Sequence, residues 1–140
     1  MKKLILLIIV IVAILGGKYL WKANELQKIE TDKANVIILS DALVKAFDNN
    51  SAQQTWDVSG RTRIGFALEV VYDAEGKSND GPYYQVVRDI LGDDFPTKLQ
   101  TNNKKIFVML NPWSKVVKIY VESENDENML YPDSVYDLMQ

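Results

Sequence analysis

The chain has 140 residues, 47% apolar and 25% charged, with a net charge of −3, which is room for one modest domain plus an appendage. That charge has the wrong sign for a nucleic-acid partner, which wants a basic face. Cysteine and histidine are both absent, which excludes disulfides, thiolate nucleophiles and zinc–thiolate sites and removes the commonest general base.

Met1-Lys2-Lys3 precedes an unbroken apolar run from Leu4 to Gly17, and Tyr19-Leu20-Trp21 resumes it after Lys18. The strict run is about 14 residues, short of the ~20 of a usual membrane-spanning helix. Counted through Trp21, with Lys3 and Lys18 reaching out to the headgroups, it is about 18 residues or roughly 27 Å. Tyr19 and Trp21 fall where an interfacial aromatic belt places such residues. Two readings compete with an uncleaved anchor over residues 1–22. One is a secretory signal, for which Leu15-Gly16-Gly17 offers a poor cleavage site. The other is a core helix, which would need burial on every face. Lysines flank the run on both sides, so charge barely fixes orientation. The expected arrangement puts the N-terminus inside and residues 23–140 outside as an extracytoplasmic domain.

From Trp21 to Phe47 there is neither proline nor glycine, and the pattern turns amphipathic. Leu26, Ile29, Val36, Leu43 and Phe47 share one helical stripe, with Lys33 and Ser40 in its gaps. Lys22, Glu25, Lys28, Asp32, Asp41 and Lys45 are assigned largely to other faces. The spacing predicts one continuous rod of about 45 residues, roughly 65–70 Å long. Its first half lies in lipid, its second half packs on a sheet, and it ends near residue 48.

Arg63 to Tyr72 is predicted as a strand, with Ile64, Phe66, Leu68 and Val70 on one face. A polar loop follows. Asp80 then caps a short helix through Tyr83, Val86, Val87, Ile90 and Leu91, closed by Gly92. Asp93-Asp94-Phe95-Pro96 opens a turn carrying Leu99. Lys105 to Leu110 and Lys115 to Glu122 form a hairpin around Asn111-Pro112-Trp113-Ser114. Val117, Ile119 and Val121 share one face of it; Lys118 and Tyr120 share the other. Ser123 to Asn128 is acidic and solvated, and Leu130-Tyr131-Pro132 is expected to dock back on the sheet. The expected fold is therefore α+β: a long N-terminal helix on a small antiparallel sheet.

Candidate sites are few. Asp73, Glu75, Asn79 and Asp80 gather oxygen ligands in one loop, as a calcium site would, but the spacing is not that of an EF-hand, and a solvated turn is the plainer reading. Glu122, Glu124, Asp126 and Glu127 form a second acidic cluster, read as solvated. Asp93-Asp94 is read as helix capping. Trp56, Tyr83, Tyr84, Trp113 and Tyr120 could line a carbohydrate or peptide groove, though aromatics at such positions are more often core or rim. No carboxylate pair has a spacing that singles out glycoside hydrolysis. The expectation is no enzyme, no cofactor and no small-molecule substrate.

The layout resembles type IV pilins and pseudopilins. Leu7-Ile8-Ile9-Val10-Ile11-Val12-Ala13-Ile14-Leu15 is similar to the family's hydrophobic helix. Lys18-Tyr19-Leu20 and the charged run through Lys33-Ala34-Asn35 are similar to the helix continuation in Gram-positive pilin-like proteins. The hairpin with its late Leu130-Tyr131-Pro132 is similar too. The resemblance covers most of the chain as a pattern. It implies a structural subunit of a surface filament or secretion system, held in the cell membrane by Leu4, Leu7, Ile8, Ile11, Ile14 and Leu15. Through that helix it would form homo- or hetero-oligomers. Some pseudopilins hold calcium in a sheet-domain loop. The chain departs from the family where no glycine precedes the apolar run and no acidic residue occurs before Glu25. A recognisable prepilin peptidase site is therefore missing. A stand-alone, membrane-anchored binding or accessory domain is the alternative.

Overall fold

The computed structural model describes residues 2–48, 63–69, 74–76 and 81–139, with side chains from Ile8 onward in the first helix and from Tyr83 onward in the second. The first helix, α1 (Lys2–Ala46), runs 45 residues without a break. Gly16 and Gly17 do not interrupt it, because neighbours on either side are strong helix formers or aliphatics. The stripe expected on its second half is largely present. Val36, Leu43 and Phe47 are buried, Ile29 is half-buried, and Ser40 fills its gap as a buried residue. Leu39 and Ala46 join them, so the covered face is wider than the stripe read from sequence.

Two residues of α1 differ from expectation. Leu26 is exposed, because the sheet reaches along the helix only to about Ile29. Asp32, assigned to a face other than the packed stripe, is buried against the domain.

Four strands form one antiparallel sheet in sequential order: β1 (Ile64–Ala67), β2 (Ile106–Asn111), β3 (Val116–Val121) and β4 (Met129–Tyr131). Alternation decides which face meets α1. Ile64 and Phe66 stand opposite Leu110 and Val108, which in turn face Val117 and Ile119. All six are buried with Leu39 and Leu43 in the main core. β1 is shorter than the expected strand. Leu68 still donates its N–H to the Ile106 carbonyl (2.9 Å), and Val70 to Tyr72 lie outside the described residues. The β2–β3 hairpin forms as expected, Asn111 closing β2 rather than opening the turn. Its side-chain oxygen accepts from the N–H groups of Trp113 and Ser114, both at 3.1 Å.

Leu130-Tyr131 is more than a docked segment, since β4 is the fourth strand and continues the ladder beyond β3. The other helix, α2 (Gly81–Leu91), buries Val87 and stops at Gly92, whose φ of +87° suits glycine and whose N–H donates to the Arg88 carbonyl at 2.8 Å. Ile90, in its last turn, is exposed. The proposed capping residue Asp80 lies outside the described residues. The α+β architecture of a long helix on a four-stranded antiparallel sheet is thus established.

Candidate functional site

The N-terminal half of α1 stands clear of the domain. Ile8, Ile9, Val10, Ile11, Val12, Ile14 and Leu15 are each between 47% and 63% exposed, so no side of the helix is covered. Seven such side chains on one cylinder leave more apolar surface in water than the few hundred Å² usual for a soluble monomer. Tyr19, Leu20 and Trp21 extend the uncovered zone toward the domain. Among the described residues no helix is long and apolar enough to cross a membrane. The side chains of Leu4 to Leu7, which open the same apolar run, lie outside the described residues.

Where the free half of α1 meets the domain, the join is made by hydrogen bonds as well as apolar burial. The carboxylate of Asp32 is 1% exposed and accepts the backbone N–H groups of Gln100 (2.7 Å) and Thr101 (3.0 Å). That turn is held open for it by its own bonds. Leu99 donates to the Lys104 carbonyl (2.9 Å), Asn103 donates to the Leu99 carbonyl (3.0 Å), and Asn103 adopts a left-handed φ of 59°. Asn has the short polar side chain that tolerates this conformation.

The C-terminal segment makes the second join. Val135 and Tyr136 both donate to the Met129 carbonyl, at 3.0 and 2.9 Å, and Asn102 donates to the Tyr136 hydroxyl at 2.9 Å. Tyr136 and Leu138 are consequently buried, and Leu138 lies against α1. Two open grooves flank it. One, of about 440 Å³, lies between Val36 and Ile37 of α1 and Leu130, Tyr131 and Pro132. The other, of about 590 Å³, lies between Lys18, Trp21, Lys22 and Leu26 of α1 and Leu138 and Met139.

The remaining sequence candidates are not brought together. Of the loop oxygens considered for calcium, only Glu75 falls among the described residues; Asp73, Asn79 and Asp80 lie outside them. Among the described residues no group of carboxylates is placed to hold a metal. The second acidic cluster is exposed as expected, with Glu124 paired to Arg63. Asp93 pairs with Arg88 of α2, and that hydrogen bond holds its carboxyl below the usual carboxylate range.

The aromatic groove does not form among the described residues. Trp113 is 80% exposed at the hairpin tip, and Tyr83 stacks on Phe66 with ring centroids 5.9 Å apart. Tyr120 is buried on the opposite face of the sheet with Met109 and Met129. Burial, and secondarily the charge of Asp126, pushes its hydroxyl up from its ordinary pKa. Trp56 lies outside the described residues.

One ion-pair cluster was missed by sequence reading. Glu69, just past β1, bonds Lys98 and Lys105 at 3.1 Å each. These hydrogen bonds hold its carboxyl below the ordinary value, against a smaller opposing effect of desolvation. Lys98 and Lys105 are themselves paired by an isolated backbone bridge just before β2, so the cluster ties the end of β1 to the approach to β2.

No protein-family model matches the chain, and no curated protein or solved structure does either.

Proposed function

We propose that this chain is a membrane-anchored structural subunit of pilin-like or pseudopilin-like type, with its α+β domain outside the cell membrane. The observation that carries this reading is the exposure of the whole aliphatic cylinder from Ile8 to Leu15 on a helix that continues unbroken into the domain. Water is a poor solvent for that surface. Lipid, or equivalent helices within lipid, is a good one. Leu4 to Leu7 would complete the span, and Tyr19 and Trp21 would sit at the headgroups. The rigid second half would hold the sheet at a fixed distance from the bilayer, a geometry suited to a scaffold subunit.

A stand-alone anchored domain is the second reading. It is favoured by the absence of any acidic residue before Glu25, since a filament of the family's kind pairs such a residue with a neighbouring subunit's N-terminus.

The test is fractionation of cells expressing the wild type, Ile11→Lys and Trp113→Ala. A charge at the centre of a spanning helix costs about 2.5–3.5 kcal/mol by insertion scales. Ile11→Lys is expected to be released or degraded, and Trp113→Ala to remain in membranes. An Ile11→Lys variant fully retained in membranes would sink the anchor. Recovery of the wild type in sheared surface material, together with an intact mass, separates the filament subunit from the stand-alone domain.

A further inference from the structure

Resting on the anchored reading, we infer that the groove between α1 and the C-terminus is a seat for the headgroup of an anionic phospholipid. The groove has the chemistry of such a site. Lys18 and Lys22 stand one helical turn apart on its wall. Among the described residues neither is in an ion pair. The carboxylate in the groove, Glu25, is taken by Lys28 at 3.3 Å. Among the described side chains of the groove the charge facing an occupant is therefore positive, on a chain whose net charge is −3.

The other walls are apolar and uncovered. Trp21 is 68% exposed, Leu26 47% and Met139 77%, whereas Leu138 between them is buried against α1. A basic pair over an apolar floor, next to the end of an aliphatic run, complements a headgroup phosphate above its glycerol and upper acyl chain. A soluble anion would use the lysines and leave Trp21, Leu26 and Met139 wet. The groove is also continuous with the anchor: Leu15 lies one turn from Lys18 along the same helix. The site would make the underside of the domain a second contact with the bilayer, lowering Met139 onto an anionic surface and leaving it raised above a neutral one.

The chain has no cysteine, so Met139→Cys gives a unique thiol for an environment-sensitive fluorophore on the full-length protein. The labelled protein is reconstituted into vesicles of phosphatidylcholine alone and into vesicles that also contain phosphatidylglycerol. A blue-shifted emission in the anionic vesicles is expected, reversed by high salt. Lys18→Gln with Lys22→Gln is expected to lower the ratio of docked to undocked label by roughly 25-fold, about fivefold for each lysine near an anionic surface.

Identical spectra in the two kinds of vesicle, with the protein retained in both, would overturn the lipid seat and leave the anchor standing. The same shift on adding inorganic phosphate to neutral vesicles would also overturn it, assigning the lysines to soluble anions. Protein that stays out of both vesicle types would overturn the anchor and the seat together.

Discussion

Asp32 is the residue at which the packing of helix on sheet can be tested most sharply. Its carboxylate is buried and accepts two backbone N–H groups from the turn at Gln100 and Thr101. Asp32→Ala leaves both donors without their acceptor. A hydrogen bond to a charged group contributes about 1.5–3 kcal/mol. Gln100 is exposed and its N–H can recruit water, whereas Thr101 is half-buried. Counting the second bond in full and the first at a fraction gives a loss of about 2–4 kcal/mol. Domains of this size have about 5–15 kcal/mol in total, and each kcal/mol moves the midpoint by about 3–6 °C. Thermal unfolding of the detergent-solubilised chain, followed by near-ultraviolet circular dichroism, should show a drop of roughly 6–24 °C. Asp32→Asn keeps one acceptor and turns an amide against the other donor, so it should recover at most part of the loss. Asp41→Ala, at an exposed position of the same helix, should stay within about 0.5 kcal/mol of wild type. If Asp32→Ala melts with Asp41→Ala, the carboxylate does not clamp the helix, and the join rests on apolar burial alone.

Three further outcomes follow from the packing. The folded-state pKa of Glu69 is depressed below 4.5 by the bonds from Lys98 and Lys105, so its contribution to stability is present above about 4.5 and lost as pH falls through the depressed value. Glu69→Gln should flatten that acid-side fall in melting temperature, and an unchanged acid limb would refute the assignment. Gly65→Ala would place a methyl 2.9 Å from Cζ of Phe107, costing about 1–3 kcal/mol. Phe107→Leu should recover part of this cost in a double-mutant cycle, and simple additivity would show that the ring is not the obstacle. Leu43→Ala, in the core, should cost about 2–5 kcal/mol. Leu26→Ala, on the same predicted stripe but exposed, should leave urea midpoints nearly unchanged.

That last contrast shows what periodicity can and cannot say. Spacing identified a helix face correctly at Val36, Leu43 and Phe47, because residues three and four apart lie over one another. It carries no information on how far the partner surface extends, so Leu26 was placed in a core that stops near Ile29. The β2–β3 hairpin was legible because two short runs rich in apolar and β-branched residues and the Asn-Pro turn between them agree with each other. β4 was not read as a strand. It is three residues long and followed by proline, and what makes it one is the open edge of β3, which no local pattern displays. Asp32 escaped for a related reason. Its partners are backbone groups 68 and 69 residues away, and a backbone N–H has no sequence signature. The apolar half of the candidate site was plain in the sequence, whereas its C-terminal wall was invisible, since Leu138 and Met139 are brought to α1 by bonds from distant residues, those of Met129 with Val135 and Tyr136 and that of Asn102 with Tyr136.

The position of the Asp32 clamp also bears on how such a domain can sit close to a bilayer. Ile29 and Asp32 are where the covered part of α1 begins, so they hold the end of the domain nearest the aliphatic run. A join made there only by large apolar side chains would add surface that lipid can solvate as well as the core does, because hydrocarbon chains exert no hydrophobic drive between protein surfaces. Two hydrogen bonds to a buried carboxylate have no comparable substitute in hydrocarbon. They fix the register of helix on sheet without enlarging the apolar base. On the anchored reading, lowering the domain onto a bilayer would then leave its fold intact, since the contacts lipid could compete for at Trp21, Leu26 and Met139 are ones the core does not use.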